Sequence, residues 1–269
     1  MKALLFLILS LLATISSPAQ IVTRKESIQS LYLATFIDTT KLSVATGFIV
    51  KSKTQNYLIT NWHVVSEKNP VTQNWIDSSS RRQPNRIAIV HNGKQLGTHV
   101  IKYETLVDAN GVRQYEQFKI DREMVDVIAL PLKDTTGITI YPVNYRNVPD
   151  SGSLSPTDRL FIVGFPLGIY GSSSLPIWKS GLIASEPDTD QENKPIIWVD
   201  GVGYLGMSGA PVYYIDDKIP TRPGIRTRTP NTSPSLFTGV YSHLPFMGKV
   251  GLGALWKGPF LKFLFDRLP

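Results

Sequence analysis

Three short stretches of this 269-residue chain hold side chains whose types could do chemistry together. Gly206-Met207-Ser208-Gly209-Ala210-Pro211-Val212 sets a serine between glycines, directly ahead of an apolar run. Such a turn is tight, exposes the hydroxyl and leaves backbone N–H groups pointing one way. Tyr57-Leu58-Ile59-Thr60-Asn61-Trp62-His63-Val64-Val65 sets a histidine just past a strand-like run, with Ala45-Thr46-Gly47-Phe48-Ile49-Val50 before it. Val125-Asp126-Val127-Ile128-Ala129-Leu130 opens an apolar strand on one carboxylate, whose charge is costly there unless hydrogen-bonded. A serine hydroxyl is a poor nucleophile at neutral pH and needs a base within hydrogen-bond reach. An imidazole serves if a buried carboxylate holds the proton on its far nitrogen. The oxygen that turns negative in acyl transfer needs fixed donors, and the N–H groups of Gly206 and Ser208 are placed to supply them.

Rigid elements must carry these groups. Short runs rich in Val, Ile, Tyr, Phe and Thr recur at 30–37, 45–50, 57–60, 86–91, 98–103, 127–132, 159–164, 196–199, 210–215 and 236–241. They are broken by Gly, Pro, Asn, Asp and Ser, the pattern of an all-β sandwich or barrel. The segment 133–156, with Pro142, Pro149 and Pro156, reads as the connector between two β-units, the first about 27–135 and the second about 150–256. Apolar residues at roughly helical spacing predict a C-terminal helix over 258–268. The long loops 66–85 and 216–235 lack an apolar pattern and read as solvated surface.

In combination, the Thr-Gly-Phe-Ile and Leu-Ile-Thr-Asn-Trp-His-Val-Val segments, Asp-Val-Ile-Ala-Leu and Gly-Met-Ser-Gly-Ala-Pro-Val resemble the chymotrypsin/trypsin-like serine peptidases. The nearest branch is the bacterial exported one with the HtrA-like proteases. Gly164-Phe165-Pro166-Leu167-Gly168 and Trp178-Lys179-Ser180-Gly181-Leu182-Ile183-Ala184 resemble segments ahead of the serine in that branch. The resemblance implies two six-stranded antiparallel β-barrels with the cleft between them. It implies a serine endopeptidase working through an acyl-enzyme: His63 as general base and then acid, Asp126 orienting it, Ser208 as nucleophile. It puts the pocket base at Val202, with Asp200 as the alternative, and a wall and main-chain edge for substrate at Val240, Tyr241, Ser242 and His243. An apolar Val202 favours small or apolar residues at the cleaved position.

Two features depart from the family. Met207 stands where digestive relatives carry an acid, so activation by a salt bridge to a new N-terminus is not expected. The C-terminal PDZ domain of HtrA-like proteins is not expected after Pro269 either. A catalytically silent peptide-binding protein on the same fold is the alternative reading. An α/β-hydrolase esterase would put its serine first and its histidine last, the wrong order here.

Composition narrows the classes further. With no cysteine, disulfide scaffolds, Cys-ligated zinc and cysteine nucleophiles are excluded. Four histidines argue against a multi-His metal centre, and no metal or cofactor is expected. His91, His99 and His243 are read as surface or packing residues, and Trp62, Trp178 and Trp198 as core or cleft-wall packing. The net charge of +7 favours weak association with anionic surfaces. No basic helix or aromatic-interleaved basic stripe appears, so nucleic acid is not an expected partner and polypeptide substrates are. Lys2, the apolar run 3–12 and Ser17-Pro18-Ala19 read as a signal peptide over 1–19, cleaved after Ala19. The run is shorter than the ~20 residues a bilayer needs, so no stable membrane insertion is expected after its removal. The mature chain is expected to be exported, periplasmic or secreted.

Overall fold

Strands buried on both faces read as apolar runs rather than clean alternations, and several here feed a different core with each parity. The computed structural model describes residues 23–79, 81–121, 123–201, 203–215, 234–242 and 250–269. The expected signal segment and most of the loop 216–235 lie outside them. The chain runs α1 (Lys25–Gln29), β1 (Ser30–Ile37), β2 (Thr40–Lys51), β3 (Asn56–Thr60), α2 (Trp62–Ser66), β4 (Arg86–Asn92) and β5 (His99–Thr105). It continues through β6 (Glu116–Ile120), β7 (Glu123–Pro131), β8 (Arg159–Gly164), β9 (Ile177–Ile183), β10 (Ile196–Asp200) and β11 (Pro211–Ile215). β12 (Ser235–Ser242), β13 (Leu252–Lys257) and α3 (Gly258–Phe265) complete it.

The second unit is a closed barrel of strand order β10-β13-β12-β11-β8-β9, six strands as expected. The first differs in detail from a six-stranded barrel. Its sheet has seven strands, ordered β5-β4-β1-β2-β3-β7-β6. The hairpin between β5 and β6 joins its two ends, with Val107 bridging Arg113 and the Gln114 N–H donating to Leu106 O at 3.0 Å. The strand that reading by pattern overlooks, β6, is EQFKI, a half-buried edge with polar residues on both parities.

In β2, Ala45 and Ile49 face the interior of the first unit while Phe48 and Val50 face the second. In β7, Ile128 and Leu130 point inward, and Val125, Val127 and Ala129 meet the second unit. There they join Val163, Tyr213, Phe237, Val240 and Trp256 in one continuous core. Burying each such side chain contributes roughly 1.5–3 kcal/mol, which makes the joint between the units a core rather than a hinge. The chain ends tie it further. The Trp178 indole N–H donates to Ser27 Oγ at 2.8 Å, Tyr213 Oη to Gln29 Oε1 at 3.1 Å, and Ser52 Oγ to Pro269 O at 2.6 Å. Helix α3 stops short of residue 268 because the last N–H groups, of Arg267 and Leu268, bond three residues back. Leu268 nevertheless packs in the core. Among the described residues no helix is long and apolar enough to cross a membrane.

His91 lies on β4, 1% exposed, and its Nδ1 has no partner. Burial, helped by the Lys102 ammonium, holds this imidazole down to about 4 from 6.5. Between those pH values the unfolded chain binds a proton that the folded chain refuses, so stability rises with pH there and falls as pH drops from 6.5 towards 4. The loss should approach roughly 2–3 kcal/mol. In urea unfolding at pH 7 and pH 4.5, His91→Leu should lose less stability on acidification than the parent. Equal losses would show that His91 does not set the slope.

Candidate active site

Helix α2 begins two residues after β3, which fixes its first turn on the rim of the sheet. Asn61 precedes it in extended conformation, and its Nδ2 donates to the Asp126 carbonyl at 2.6 Å, stitching α2 to β7. The His63 backbone N–H then donates to Asp126 Oδ1 at 2.9 Å, and the ring Nδ1 lies 2.7 Å from Asp126 Oδ2. The other ring nitrogen, Nε2, lies 2.8 Å from Ser208 Oγ. Three groups separated by 63 and 82 residues thus form one hydrogen-bonded line across the two units. His63, Asp126 and Ser208 are all buried. A carboxylate facing Nδ1 fixes the proton there and leaves Nε2 free to accept from the hydroxyl.

Ser242 reaches the same carboxylate. It was expected on a substrate edge, and its hydroxyl donates to Asp126 Oδ2 at 2.5 Å. Spacing carries no signal for that contact, which spans 116 residues and two units. Val240 packs its side chain in the core between the units, and Tyr241 in the core of the second. The Tyr241 main chain is bonded to the serine turn, accepting from Gly209 N–H and donating to Ala210 O, both at 2.9 Å. Val202 and His243 lie outside the described residues. Asp200 is exposed at the end of β10. A second carboxyl, Glu67, ends α2 in left-handed conformation, with its N–H donating to His63 O at 2.9 Å. Burial pushes that carboxyl above the usual range, partly offset by the Ser43 hydroxyl.

The serine turn is built on two glycines. Gly206 has φ 92° and Gly209 φ 84°, left-handed values that a side chain would strain. Between them Met207 is buried among Leu160, Ile162, Val199 and Tyr241. The position that holds an acid in digestive relatives is thus an apolar anchor in the second barrel. Among the described residues no acceptor meets the N–H of Gly206 or of Ser208. A Cβ on Gly209 would fall 2.2 Å from Thr46 O and 2.3 Å from Thr60 Oγ1. Gly209→Ala should therefore cost more than ~4 kcal/mol or abolish folding. Gly111→Ala, at φ 79° with nothing within 4 Å, should cost only about 1–2 kcal/mol. Chemical denaturation of both variants compares them, and equal costs would refute the close approach.

Among the described residues no cluster of three His, Asp or Glu could hold a metal ion. The arrangement offers a hydroxyl, a base with its proton held on the far side, and two amide donors next to the hydroxyl. That is equipment for attack on a carbonyl carbon.

The sequence signature described as the trypsin-like peptidase domain matches residues 45–218, more than half of the chain. The protein belongs to that family. No curated protein matches its sequence. Among solved structures, the serine endoprotease from Yersinia pestis is similar at 13% identity and a TM-score of 0.48, over 92% of this chain and 68% of that one. The MamO protease domain from Magnetospirillum magneticum is similar at 13% identity and a TM-score of 0.49, over 89% and 96%. An inactive form of Rv3671c from M. tuberculosis is similar at 11% identity and a TM-score of 0.44, over 89% and 84%. Membership rests on the sequence match, and the joined barrel and sheet agree with it.

Proposed function

We propose that the protein is an exported serine endopeptidase that hydrolyses peptide bonds through an acyl-enzyme on Ser208. The observation that carries this reading is the line from Asp126 through His63 to Ser208, at 2.7 and 2.8 Å. Ser208 Oγ attacks the carbonyl carbon as His63 Nε2 takes its proton. Asp126 holds the Nδ1 proton and stabilises the imidazolium. The carbonyl oxygen becomes negative between the N–H groups of Gly206 and Ser208. Collapse of the tetrahedral adduct breaks the C–N bond, and His63 gives its proton to the departing amine. Water then attacks the ester with His63 again as base, releasing the acid and the free hydroxyl.

Export rests on the leader 1–19, with its basic start, apolar run and small residues before the cleavage point. Small or apolar residues at the cleaved position remain the proposed preference, on the strength of Val202. The direct test is a fluorophosphonate probe, which phosphonylates a serine only when its hydroxyl is activated. The mature protein should label at Ser208, and Ser208→Ala should take no label. Folded parent protein that stays unlabelled would favour the silent peptide binder instead.

A further inference from the structure

We propose that Thr46 is a positioning residue for this reaction, its hydroxyl aiming the two amide donors beside Ser208. The inference rests on the peptidase reading above.

Thr46 lies on β2 in the first unit and is completely buried. All of its polar groups are engaged. Its N–H donates to Ser208 O at 2.9 Å, and its carbonyl accepts from Thr60 Oγ1 at 2.8 Å. Its own Oγ1 donates to Gly206 O at 2.7 Å and accepts from Phe165 N–H at 3.0 Å. One side chain of the first unit therefore grips two separate segments of the second. The glycines around it make this possible, since a Cβ on Gly164 would stand 2.7 Å from Thr46 Oγ1.

The grip bears on the donors because a trans peptide points its C=O and N–H in opposite directions. The Gly206 N–H belongs to the peptide whose C=O is that of Leu205, and Leu167 N–H holds that oxygen at 2.6 Å. Leu167 sits in a one-turn 3₁₀ segment, Pro166–Gly168, at φ 53°, and Phe165 leads into it. By fixing Phe165 N–H, Thr46 seats the turn that holds the first donor. The Ser208 N–H lies between the carbonyls of Gly206 and Ser208, and Thr46 holds both, one through its hydroxyl and one through its N–H. Without the hydroxyl, Gly206 O and Phe165 N–H are buried without partners. Rotating the peptides of the turn is the way to recover bonds for them.

The test compares Thr46→Ser, Thr46→Cys and Thr46→Val in the full mature chain, with kcat counted per fluorophosphonate-titrated site. Thr46→Ser keeps the donor and should stay within about threefold of the parent, whereas Thr46→Val should lose roughly 10²-fold in kcat, the scale of losing one such donor. KM and the shape of the pH profile should not change, since His63 and the substrate contacts are untouched. Thr46→Cys, a weak donor, should fall between. Full activity in Thr46→Val overturns the proposal. So does a loss split between kcat and KM or a shifted pH profile, which would mark general loosening. If Thr46→Val does not fold, the order Thr, Ser, Cys decides, and equal kcat in all three overturns it. If the parent neither labels nor cleaves peptides, the peptidase reading fails separately. Crystal structures of the parent and of Thr46→Val, or of Thr46→Cys where Val does not fold, then judge the grip: a rotated Leu205–Met207 backbone supports it, and an unchanged one overturns it.

Discussion

Ser208→Ala and His63→Ala should each cut peptide turnover by on the order of 10⁴–10⁶ while the protein stays folded. The two losses should be similar, and the double variant should lose little more than either alone. In the proposed mechanism each substitution breaks the same proton path, since His63 Nε2 lies 2.8 Å from Ser208 Oγ. Neither should unfold the chain. None of the three groups belongs to an apolar core, and the joint is held by residues such as Phe48, Tyr57, Phe237 and Phe265. The measurement is kcat/KM on a peptide pool, with circular dichroism to confirm the fold. A Ser208→Ala protein that cleaves within tenfold of the parent would end the acyl-enzyme mechanism.

Asp126→Asn should be nearly as severe, about 10⁴ in kcat. Three donors converge on this carboxylate: the His63 backbone N–H on Oδ1, and the His63 ring and the Ser242 hydroxyl on Oδ2. An amide has only one acceptor oxygen. If that oxygen faces the backbone N–H, the NH₂ group faces Nδ1 and the ring must carry its proton on Nε2. An Nε2–H cannot accept the serine proton. If the amide turns over, its NH₂ meets the backbone N–H head-on and Asn61 alone is left to hold α2 against β7 at this point. The first arrangement turns the wrong nitrogen of His63 to Ser208, and the second keeps the tautomer but sets two donors head-on and leaves no charge to stabilise the imidazolium, with Ser208 in place in both. Turnover per folded molecule checks this, and a loss of less than tenfold would show that the carboxylate's charge and acceptor pattern are dispensable. Ser242→Ala removes one donor without reversing any polarity and should cost far less.

Much of the architecture was readable because burial writes a local code. The bounds of β1 and β8 follow from runs of β-branched and aromatic residues closed by turn residues. What escaped was short or polar. The helices α1 and α2 have five residues each, too few to display a helical period. β6 is an edge strand of mixed polarity, β9 carries Lys179, Ser180 and Gly181, and β13 starts beside glycines.

The kinds of groups at the site, their order along the chain and the glycines around the serine could be named without coordinates. Side-chain chemistry and backbone freedom are local properties of residue type. The line through His63, the hydroxyl of Ser242 on Asp126 and the grip of Thr46 on two segments could not. Each joins groups far apart in sequence, and their directions depend on how two β-units close over one shared core. Hydrogen bonds work over about 3 Å and narrow angles. Only the packed fold brings atoms from distant segments into that range.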